Sequence, residues 1–296
     1  MLKRTLFISS PYHLSVKNNQ LVVSASGGLQ IKTVPIEDVG FVVLENHGIS
    51  ITLKLVEQLT ESNVAVVFCD SKHMPSSMLL PLDTNHIQNE IFRAQANASE
   101  PLKKNLWKQV IEAKIANQAR LLDKLGKNSG KIKALIKAVK SGDSDNREGF
   151  AARLYWAEMF SSKFIRERFG MPPNSFLNYG YILLRSAVAR SLAGSGLLAT
   201  FGIHHHNRYN AFCLADDIME PYRPYVDELV YRMYEKWPDQ IEIETEHKAE
   251  LLQLMTTDVR IGESRRPLML ALSQTTASLA RCFSGEERKL VLPVFE

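Results

Sequence analysis

The sequence predicts an α+β protein, with a small N-terminal β-rich sheet domain followed by a larger, all-helical C-terminal domain. Short β-branched runs are confined to the first part of the chain, and apolar residues at helical spacing dominate the rest. Between them, prolines, serines and polar residues interrupt both patterns. We therefore expect a β-rich domain over residues 1–75, a linker over 76–90 and a helical domain over 91–296.

The N-terminal pattern is that of a small sheet with one helix. YHLSVKNNQLVVSAS alternates around Asn18–Asn19, which predicts a hairpin, and Gly27–Gly28 separates it from LQIKTVP. FVVLE and VAVVF have the composition of buried strands, and the intervening ITLKLVEQLTES has helical periodicity.

The C-terminal pattern is helical, with no convincing strand. Between residues 106 and 125 an apolar stripe recurs at helical spacing, formed by Trp107, Ile111, Ile115, Ala119 and Leu122. A further helix is predicted from near residue 145 to Gly170, where Pro172 and Pro173 follow as stop signals. Four more segments continue the series: NYGYILLRSAVARSLAG, PYRPYVDELVYRMYEKWP, EHKAELLQLM and RRPLMLALSQTTASLARCF.

Composition excludes two broad classes of protein. Apolar residues make up 45% and charged residues 23%, which is the balance of a globular protein and argues against disorder. No apolar run approaches the roughly 18 to 20 residues that cross a bilayer, so we expect a cytoplasmic protein that does not bind membranes. Three scattered cysteines without CxxC spacing predict reduced core residues.

Positive charge is concentrated in one segment. Residues 103–140 contain eleven Lys or Arg against two acids, Glu112 and Asp123, which gives a formal +9 in a chain of net charge +4. Such a segment is typical of proteins that bind a phosphate backbone. The alternative is that the lysines merely solvate an exposed helix face, and the sequence leaves both open.

A candidate metal site lies in GIHHHNRYNAFCLADDIMEPYR, residues 202–223. Three histidines, His204 to His206, precede Asp216, Asp217 and Glu220, and helical spacing places both aspartates on a face with Glu220. Imidazole with carboxylates suits Mn²⁺, or Mg²⁺ with retained water, more than structural zinc. Alternatively, the acids pair with Arg208 and Arg223 and the histidines form a polar loop. Spacing alone favours this alternative.

Glu148 has two interpretations as well. Asp145-x-x-Glu148 fits a helix N-terminal capping pattern. On the same helix Glu148 shares a face with Ala151, Ala152 and Tyr155. The two alanines are small and leave room around a functional carboxylate. The residues by themselves do not decide between these.

Three blocks taken together carry a family resemblance. REGFAARLYW at 147–156, LNYGYILL at 177–184 and the segment from Gly202 to Asp227 occur in one order. This order resembles the signature blocks of the Cas1 family, the CRISPR-associated integrases of spacer acquisition. The β-rich start and the VRIGESRRPLMLALSQTTASLAR segment are similar to that family's ends, so the resemblance covers nearly the whole chain. The HHHNRxN pattern resembles members from type II systems.

The resemblance implies the site residues. It places a metal-binding carboxylate at Glu148, a metal-binding histidine at His205 within the register of Gly202 and Arg208, and a third ligand at Glu220, where many relatives have aspartate. These three residues would be both catalytic and metal-binding, holding Mn²⁺ or Mg²⁺. Whether His204, His206 or Asp217 assist is left open. LNYGY is expected to have a structural role, with Asn178 as a helix cap and Gly180 in packing.

The resemblance also implies the reaction and the partners. The expected activity is that of a DNA integrase and endonuclease, which inserts captured foreign double-stranded DNA fragments as new spacers into the repeat array by transesterification. The N-terminal domain is expected to form a homodimer, and two dimers to flank a dimer of the small Cas2 protein in a heterohexamer, with other type II CRISPR proteins as further partners. The alternatives are a metal-dependent DNA nuclease outside spacer acquisition and a non-catalytic DNA-binding scaffold.

Overall fold

The computed structural model describes residues 3–25, 27–81, 85–167 and 170–296. The chain divides into two compact units, Met1–Thr84 and Asn85–Glu296. The first unit contains two sheets and the second is dominated by helices, which confirms the α+β class.

Two four-stranded sheets and one helix form the N-terminal unit. The strands are β1 (Arg4–Ile8), β2 (His13–Lys17), β3 (Gln20–Ser24), β4 (Gln30–Pro35), β5 (Val39–Leu44), β6 (Ser50–Ile51), β7 (Ala65–Cys69) and β8 (Pro75–Leu79), and the helix is α1 (Leu53–Glu61). One sheet has the order β1-β5-β7-β8, with β1, β5 and β7 parallel, and the other has the order β4-β3-β2-β6.

The hairpin predicted around Asn18–Asn19 joins β2 to β3. Both asparagines have positive φ, 51° and 57°, as a two-residue turn of the favoured hand requires. Leu14 lies opposite Val23, and Leu21 opposite Val16, in the antiparallel register. Leu14 and Leu21 are both buried in the core of this unit, so alternation along the two strands sets which face packs inward.

The predicted linker over residues 76–90 is wrong at both ends. Residues 75–79 form β8, which pairs antiparallel with β7, and helix α2 (Gln88–Ala96) begins before residue 90. Residues 82–84 lie outside the described residues. β8 is an edge strand, where a starting proline such as Pro75 is tolerated, and this is why its composition resembles a loop.

Helices account for most of the second unit. After α2 they are α3 (Glu100–Lys124), α4 (Gly130–Ile136), α5 (Arg147–Met159), α6 (Asn174–Gly194), α7 (Cys213–Met219), α8 (Arg223–Lys236), α9 (Thr245–Leu251) and α10 (Leu268–Phe283). Among the described residues, no helix is both long enough and apolar enough to cross a membrane. The three cysteines are buried free thiols, as predicted.

The C-terminal unit is not all-helical, because it contains a small three-stranded sheet. The strands are β9 (Asp258–Ile261), β10 (Ser264–Pro267) and β11 (Pro293–Val294), in the order β10-β9-β11. Gly262 turns the chain between β9 and β10 with a φ of +59°. Strands of four residues or fewer give too short an alternation to be predicted. In addition, helix α10 separates β11 in sequence from β9, the strand with which it pairs.

Helix α5 ends earlier than predicted, at Met159 instead of Gly170. Beyond it the chain folds back so that aromatic rings meet. The Phe164 ring lies 4.7 Å from that of Phe160 and 5.7 Å from that of Trp156, measured between centroids. The three rings are half-buried, and their contacts with one another offset the helical turns that the segment gives up.

Helix α3 carries the predicted apolar stripe inward. Trp107, Ile111, Ile115, Ala119 and Leu122 are all buried, as their spacing indicated. One residue of the basic segment 103–140, Lys114, is buried on the same helix.

Candidate metal centre

Glu148 lies in the first turn of α5, and the chain that precedes the helix positions it. Asn146 is the N-cap in a left-handed conformation, and its side chain accepts from the N–H of Gly149. The Asp143 carboxylate accepts from the N–H groups of Arg147 and Glu148 at 2.9 and 3.0 Å. The capping pattern predicted for Asp145 and Glu148 is therefore wrong, since neighbouring residues make the cap. The Glu148 side chain is left available for another contact.

Glu220 lies where α7 ends. Residues 220–222 form a single 3-10 turn that begins with Glu220 and continues with Pro221 into α8. Asn117 of α3 donates to the carbonyl of Pro221 at 2.8 Å and to that of Pro293 at 3.0 Å. Asn117 thus fixes the turn to α3, and the Glu220 side chain is held in the interior, 3% exposed.

Lys114 brings the two glutamates together. Its Nζ donates to Oε1 of Glu148 at 2.5 Å and lies 2.6 Å from Oε2 of Glu220. The second contact is an ion pair without the alignment of a hydrogen bond. Carboxylates from α5 and from the end of α7 therefore converge on one ammonium of α3.

A second cation completes this cluster. Arg223 contacts the other oxygen of Glu220, Oε1, at 2.9 Å. Burial by itself would raise the pKa of Glu220, but the charges of Arg223 and Lys114 lower it below its ordinary value. Burial opposes the charge on Lys114, and the two glutamates outweigh it, so the pKa of Lys114 is raised. Glu220 is thus held as a carboxylate and Lys114 as an ammonium.

His205 is held by Asp217. Its ring Nδ1 lies 2.6 Å from Oδ1 of Asp217, and the same buried carboxylate accepts the N–H groups of Ile203, His204 and His205. The hydrogen bond to Asp217 raises the pKa of His205, against the effect of partial burial. When Nδ1–H donates to Asp217, the ring lone pair lies on Nε2, which is the orientation that a carboxylate gives to a metal-binding histidine.

The close approach of this loop to α7 depends on Gly202. A Cβ at this position would lie 2.2 Å from the carbonyl oxygen of His205 and 2.8 Å from Oδ2 of Asp217. A side chain there would separate the histidine loop from the carboxylate that orients it. Gly202, which stands three residues before His205 and six before Arg208, is therefore required at this position for steric reasons.

His204 and His206 are placed differently from His205. The His204 ring stacks on Trp107 with centroids 4.2 Å apart and planes 2° from parallel, and burial lowers its pKa. His206 is exposed and its Nδ1 lies 2.7 Å from the carbonyl oxygen of His204. Trp107 also meets the edge of the His205 ring. Trp107 anchors the loop to α3, and His205 is the histidine of the three whose ring nitrogen meets a carboxylate.

The predicted arginine pairing of the acids is half correct. Arg223 pairs with Glu220, whereas the guanidinium of Arg208 lies over the Tyr209 ring, 4.6 Å from its centroid. The block LNYGY has its packing role, since a Cβ on Gly180 would lie 2.5 Å from a methyl group of Val226. Asn178 is not a helix cap, because α6 begins four residues earlier and Asn178 accepts a hydrogen bond from Arg166.

The donor set suits a hard divalent cation. Two carboxylates and one imidazole provide the oxygen and nitrogen ligands that Mn²⁺ and Mg²⁺ accept. Within the described residues, Asp, Glu, His and Cys side chains form no group of three or more that is gathered for metal binding, and the Lys114 ammonium lies where Glu148 and Glu220 converge. The residues fit such a cation by chemistry, and the ammonium occupies the point where the two carboxylates would hold it.

The sequence interpretation missed Lys114 and Asn117. Both lie on α3 among buried apolar residues, and Lys114 is three residues after Ile111 and seven after Trp107. A lysine on the apolar stripe was the available signal, because a buried ammonium needs buried carboxylates nearby. No comparable signal marked Asn117.

The basic segment 103–140 is less free than its formal charge suggested. Ion pairs to acids within the described residues involve Lys103, Lys108, Lys114, Lys124, Lys133 and Lys140. Lys131 and Lys137 are exposed on α4 and its end. The field that the segment projects is therefore smaller than +9 implies.

A family model and a curated relative that match this chain belong to the same family. Residues 6–254 match the family model described as "CRISPR associated protein Cas1". The chain is 35% identical over 296 residues to the "CRISPR-associated endonuclease Cas1" of Neisseria meningitidis serogroup C (strain 8013), covering 99% of this chain and 96% of that protein.

Two solved structures share the fold. "Casposase bound to integration product" aligns with a TM-score of 0.80 at 20% identity, over 100% of this chain and 95% of that chain. A chain of the "Cas6-RT-Cas1--Cas2 complex" aligns with a TM-score of 0.72 at 18% identity, over 99% of this chain and 36% of that chain.

Proposed function

The chain belongs to the Cas1 family of CRISPR associated proteins, and we propose that it is a metal-dependent DNA endonuclease and integrase that inserts captured DNA fragments into the repeat array by transesterification. The observation that carries the proposal is the convergence of Glu148 and Glu220 on the ammonium of Lys114, together with the orientation of the His205 ring by Asp217. The relative from Neisseria meningitidis is named an endonuclease, which supports phosphodiester chemistry.

Glu148, His205 and Glu220 would hold Mn²⁺ or Mg²⁺. When bound, such an ion neutralises charge on the phosphate and stabilises the attacking and leaving oxygens. Asp217 keeps the Nε2 lone pair of His205 directed away from its own carboxylate. Arg223 contacts Oε1 of Glu220, and Oε2, which the Lys114 ammonium contacts in this structure, would be the oxygen that binds the ion. Asn117 holds the turn that carries Glu220 against α3.

The reaction needs no protein nucleophile. The 3′-hydroxyl oxygen of the captured fragment attacks a phosphodiester at the border of a repeat, and a new phosphodiester forms as the old P–O bond breaks. The displaced 3′-oxygen of the array takes up a proton as the attacking hydroxyl loses one, so the number of ester bonds is unchanged. The second strand is joined in the same way. What the protein supplies is charge and position.

Partners follow from the substrates. Exposed lysines of the basic segment, such as Lys131 and Lys137, would contact phosphates of a fragment of any sequence, because backbone contacts carry no base information. We propose that the protein acts as a homodimer within a heterohexamer with Cas2, in a type II system and in the cytoplasm. The fold shared with a chain of a complex that contains Cas2 supports the Cas2 partner.

The test is a joining assay. The purified protein, its Cas2 partner, Mn²⁺ and a labelled short duplex are incubated with a plasmid that carries leader and repeat. We expect label joined covalently at the repeat border, and loss of joining in Glu148→Ala, His205→Ala and Glu220→Ala with DNA binding intact. His206→Ala is the matched control, since the His206 ring is exposed and its Nδ1 contacts the backbone carbonyl of His204 in the same loop.

Other outcomes separate the alternatives. Nicked plasmid without joined label, lost in the same three variants, would indicate a nuclease outside spacer acquisition. DNA binding with neither product, unchanged by Glu148→Ala, would indicate a scaffold.

A further inference from the structure

Lys114 is a charged residue in a place where charge is costly. Its side chain is 7% exposed, on a helix face otherwise formed by residues such as Ile111 and Ile115. A buried ammonium persists only when it is paired. Its pairing is with Glu148 and Glu220, the two carboxylates that the proposed function assigns to a metal ion.

The charges in this cluster are already balanced. Glu148 and Glu220 provide two negative charges, and Lys114 and Arg223 provide two positive ones. A divalent cation entering the same point would leave an excess of two positive charges in a buried space, so one resident cation has to leave. Metal binding and one of these ion pairs are therefore in competition.

The geometry indicates which cation leaves. Arg223 contacts Oε1 of Glu220, whereas the Lys114 ammonium lies at the point shared by Oε2 of Glu220 and Oε1 of Glu148. The ammonium is a compact charge on a flexible four-carbon stem, whereas the guanidinium is planar and presents its donors in a rigid fork. Arg223 is also stacked over the Tyr181 ring, 4.5 Å from its centroid. Lys114 is the cation that can withdraw.

We propose that Lys114 is a built-in counter-cation, whose ammonium holds Glu148 and Glu220 together in the metal-free protein, gives way to the divalent ion and thereby sets the affinity for it. This inference rests on the proposed function, because it requires the metal to bind these two glutamates. Metal-free Lys114→Met would leave two carboxylates facing each other, with Arg223 as the remaining ion-pair partner among the described residues. Its melting temperature would fall, and the metal would no longer compete with an ammonium.

The first test is a calorimetric titration of the full-length protein with Mn²⁺ at fixed pH, with melting curves in EDTA and in excess Mn²⁺. We expect Lys114→Met to bind Mn²⁺ about tenfold or more tightly, to melt lower than the wild type in EDTA, and to recover more than the wild type does on adding Mn²⁺. Lys108→Met is the matched control, because Lys108 lies on the same helix and pairs with Glu112 at the surface.

A second test needs no variant, in case Lys114→Met does not fold. An ammonium displaced from its carboxylates does not stay buried and unpaired, so it moves to solvent when the metal binds. We expect acylation of Lys114 in the wild type, followed by mass spectrometry, to be several-fold faster in saturating Mn²⁺ than in EDTA, with Lys108 acylated equally in both.

The outcomes distinguish this inference from the proposed function. Equal or weaker Mn²⁺ affinity in Lys114→Met, or unchanged protection of Lys114 in saturating Mn²⁺, would overturn the role of Lys114 and leave the metal site in place. If neither the wild type nor Lys114→Met binds Mn²⁺, the metal site is overturned together with the inference.

Discussion

Two buried carboxylates seven residues apart, Glu220 and Asp227, have different direct partners. Glu220 meets two cations, Lys114 at 2.6 Å and Arg223 at 2.9 Å, and its pKa is lowered. Asp227 accepts hydrogen bonds from two tyrosine hydroxyls, Tyr155 at 2.8 Å and Tyr181 at 2.5 Å, and burial raises its pKa to about 6. Both side chains are almost fully buried, so burial alone does not decide the charge.

The group that contacts each carboxylate decides how strongly its charged form is stabilised. Neutral hydroxyls hydrogen-bond a carboxylate but do not replace the solvation that a full charge loses in the interior, whereas an ion pair does so in part. The Asp227 cluster is accordingly complete, with both oxygens satisfied by α5 and α6 side chains. The Glu220 cluster holds the ammonium of Lys114 at the point where two carboxylates meet. This difference distinguishes a structural cluster from a candidate site.

The largest effect is expected from neutralising each carboxylate in turn. Glu220→Gln should lower Mn²⁺-dependent joining by more than about 10²-fold, since even the supporting residues of metal ligands are typically worth 10- to 100-fold. Asp227→Asn should leave joining within a few-fold of the wild type, because the side-chain hydrogen bonds that Asp227 accepts within the described residues come from Tyr155 and Tyr181, not from the candidate ligands. Initial rates of joining measure both. Equal losses of joining in the two variants would mean that Glu220 has no functional role that Asp227 lacks.

The next largest effect is a pH dependence of stability that belongs to Asp227. Its pKa is about 6 in the folded protein and about 3.9 in an unfolded chain, so the folded state binds the extra proton between these values. The contribution of Asp227 to the free energy of unfolding is therefore fully present below about pH 4. It is lost as pH rises through 6, and the loss is roughly 2 to 3 kcal/mol at most.

Denaturant unfolding of the wild type and Asp227→Asn at pH 4.5 and pH 7 measures this effect. The stability of the variant relative to the wild type should rise with pH, because an asparagine has no charge to bury. A difference between the two proteins that does not change with pH would mean that Asp227 is ionised throughout this range.

A smaller effect is expected at Asp217, which is buried like Asp227 but supports a histidine of the site. Asp217→Asn should reduce joining by about 10- to 100-fold and weaken Mn²⁺ binding, because His205 loses the acceptor that fixes its ring. Joining rates and Mn²⁺ titration report on it. If Asp217→Asn loses stability without changing Mn²⁺ affinity, Asp217 belongs with Asp227 as a structural acid.

The smallest effect concerns exposed charge on the segment that also carries buried Lys114. Lys131→Gln and Lys137→Gln should each weaken DNA binding by a few-fold and reduce the slope of log affinity against log salt by about one. Binding of a short duplex at several salt concentrations measures this. Unchanged slopes would mean that these lysines only solvate a helix face.

Periodicity was sufficient for most elements of the fold. The Asn18–Asn19 hairpin, the buried face of α3 and the helix that ends at Gly194 are local, because each depends on residues a few positions apart. The edge strand β8 and the sheet of β9, β10 and β11 were missed since their pairing partners, not their own composition, make them strands. The end of α5 was missed for the same reason, because a ring cluster stops the helix.

By itself the sequence determined the α+β order, the family and the three candidate ligands, because each is a pattern along the chain. Glu148, His205 and Glu220 could be named from their blocks. The tertiary structure decided what surrounds them: Lys114 between the glutamates, Asp217 beneath His205 and Asn117 holding the turn of Glu220. These contacts join residues 12 to 106 positions apart, and burial and charge at such distances arise only when packing brings the helices together.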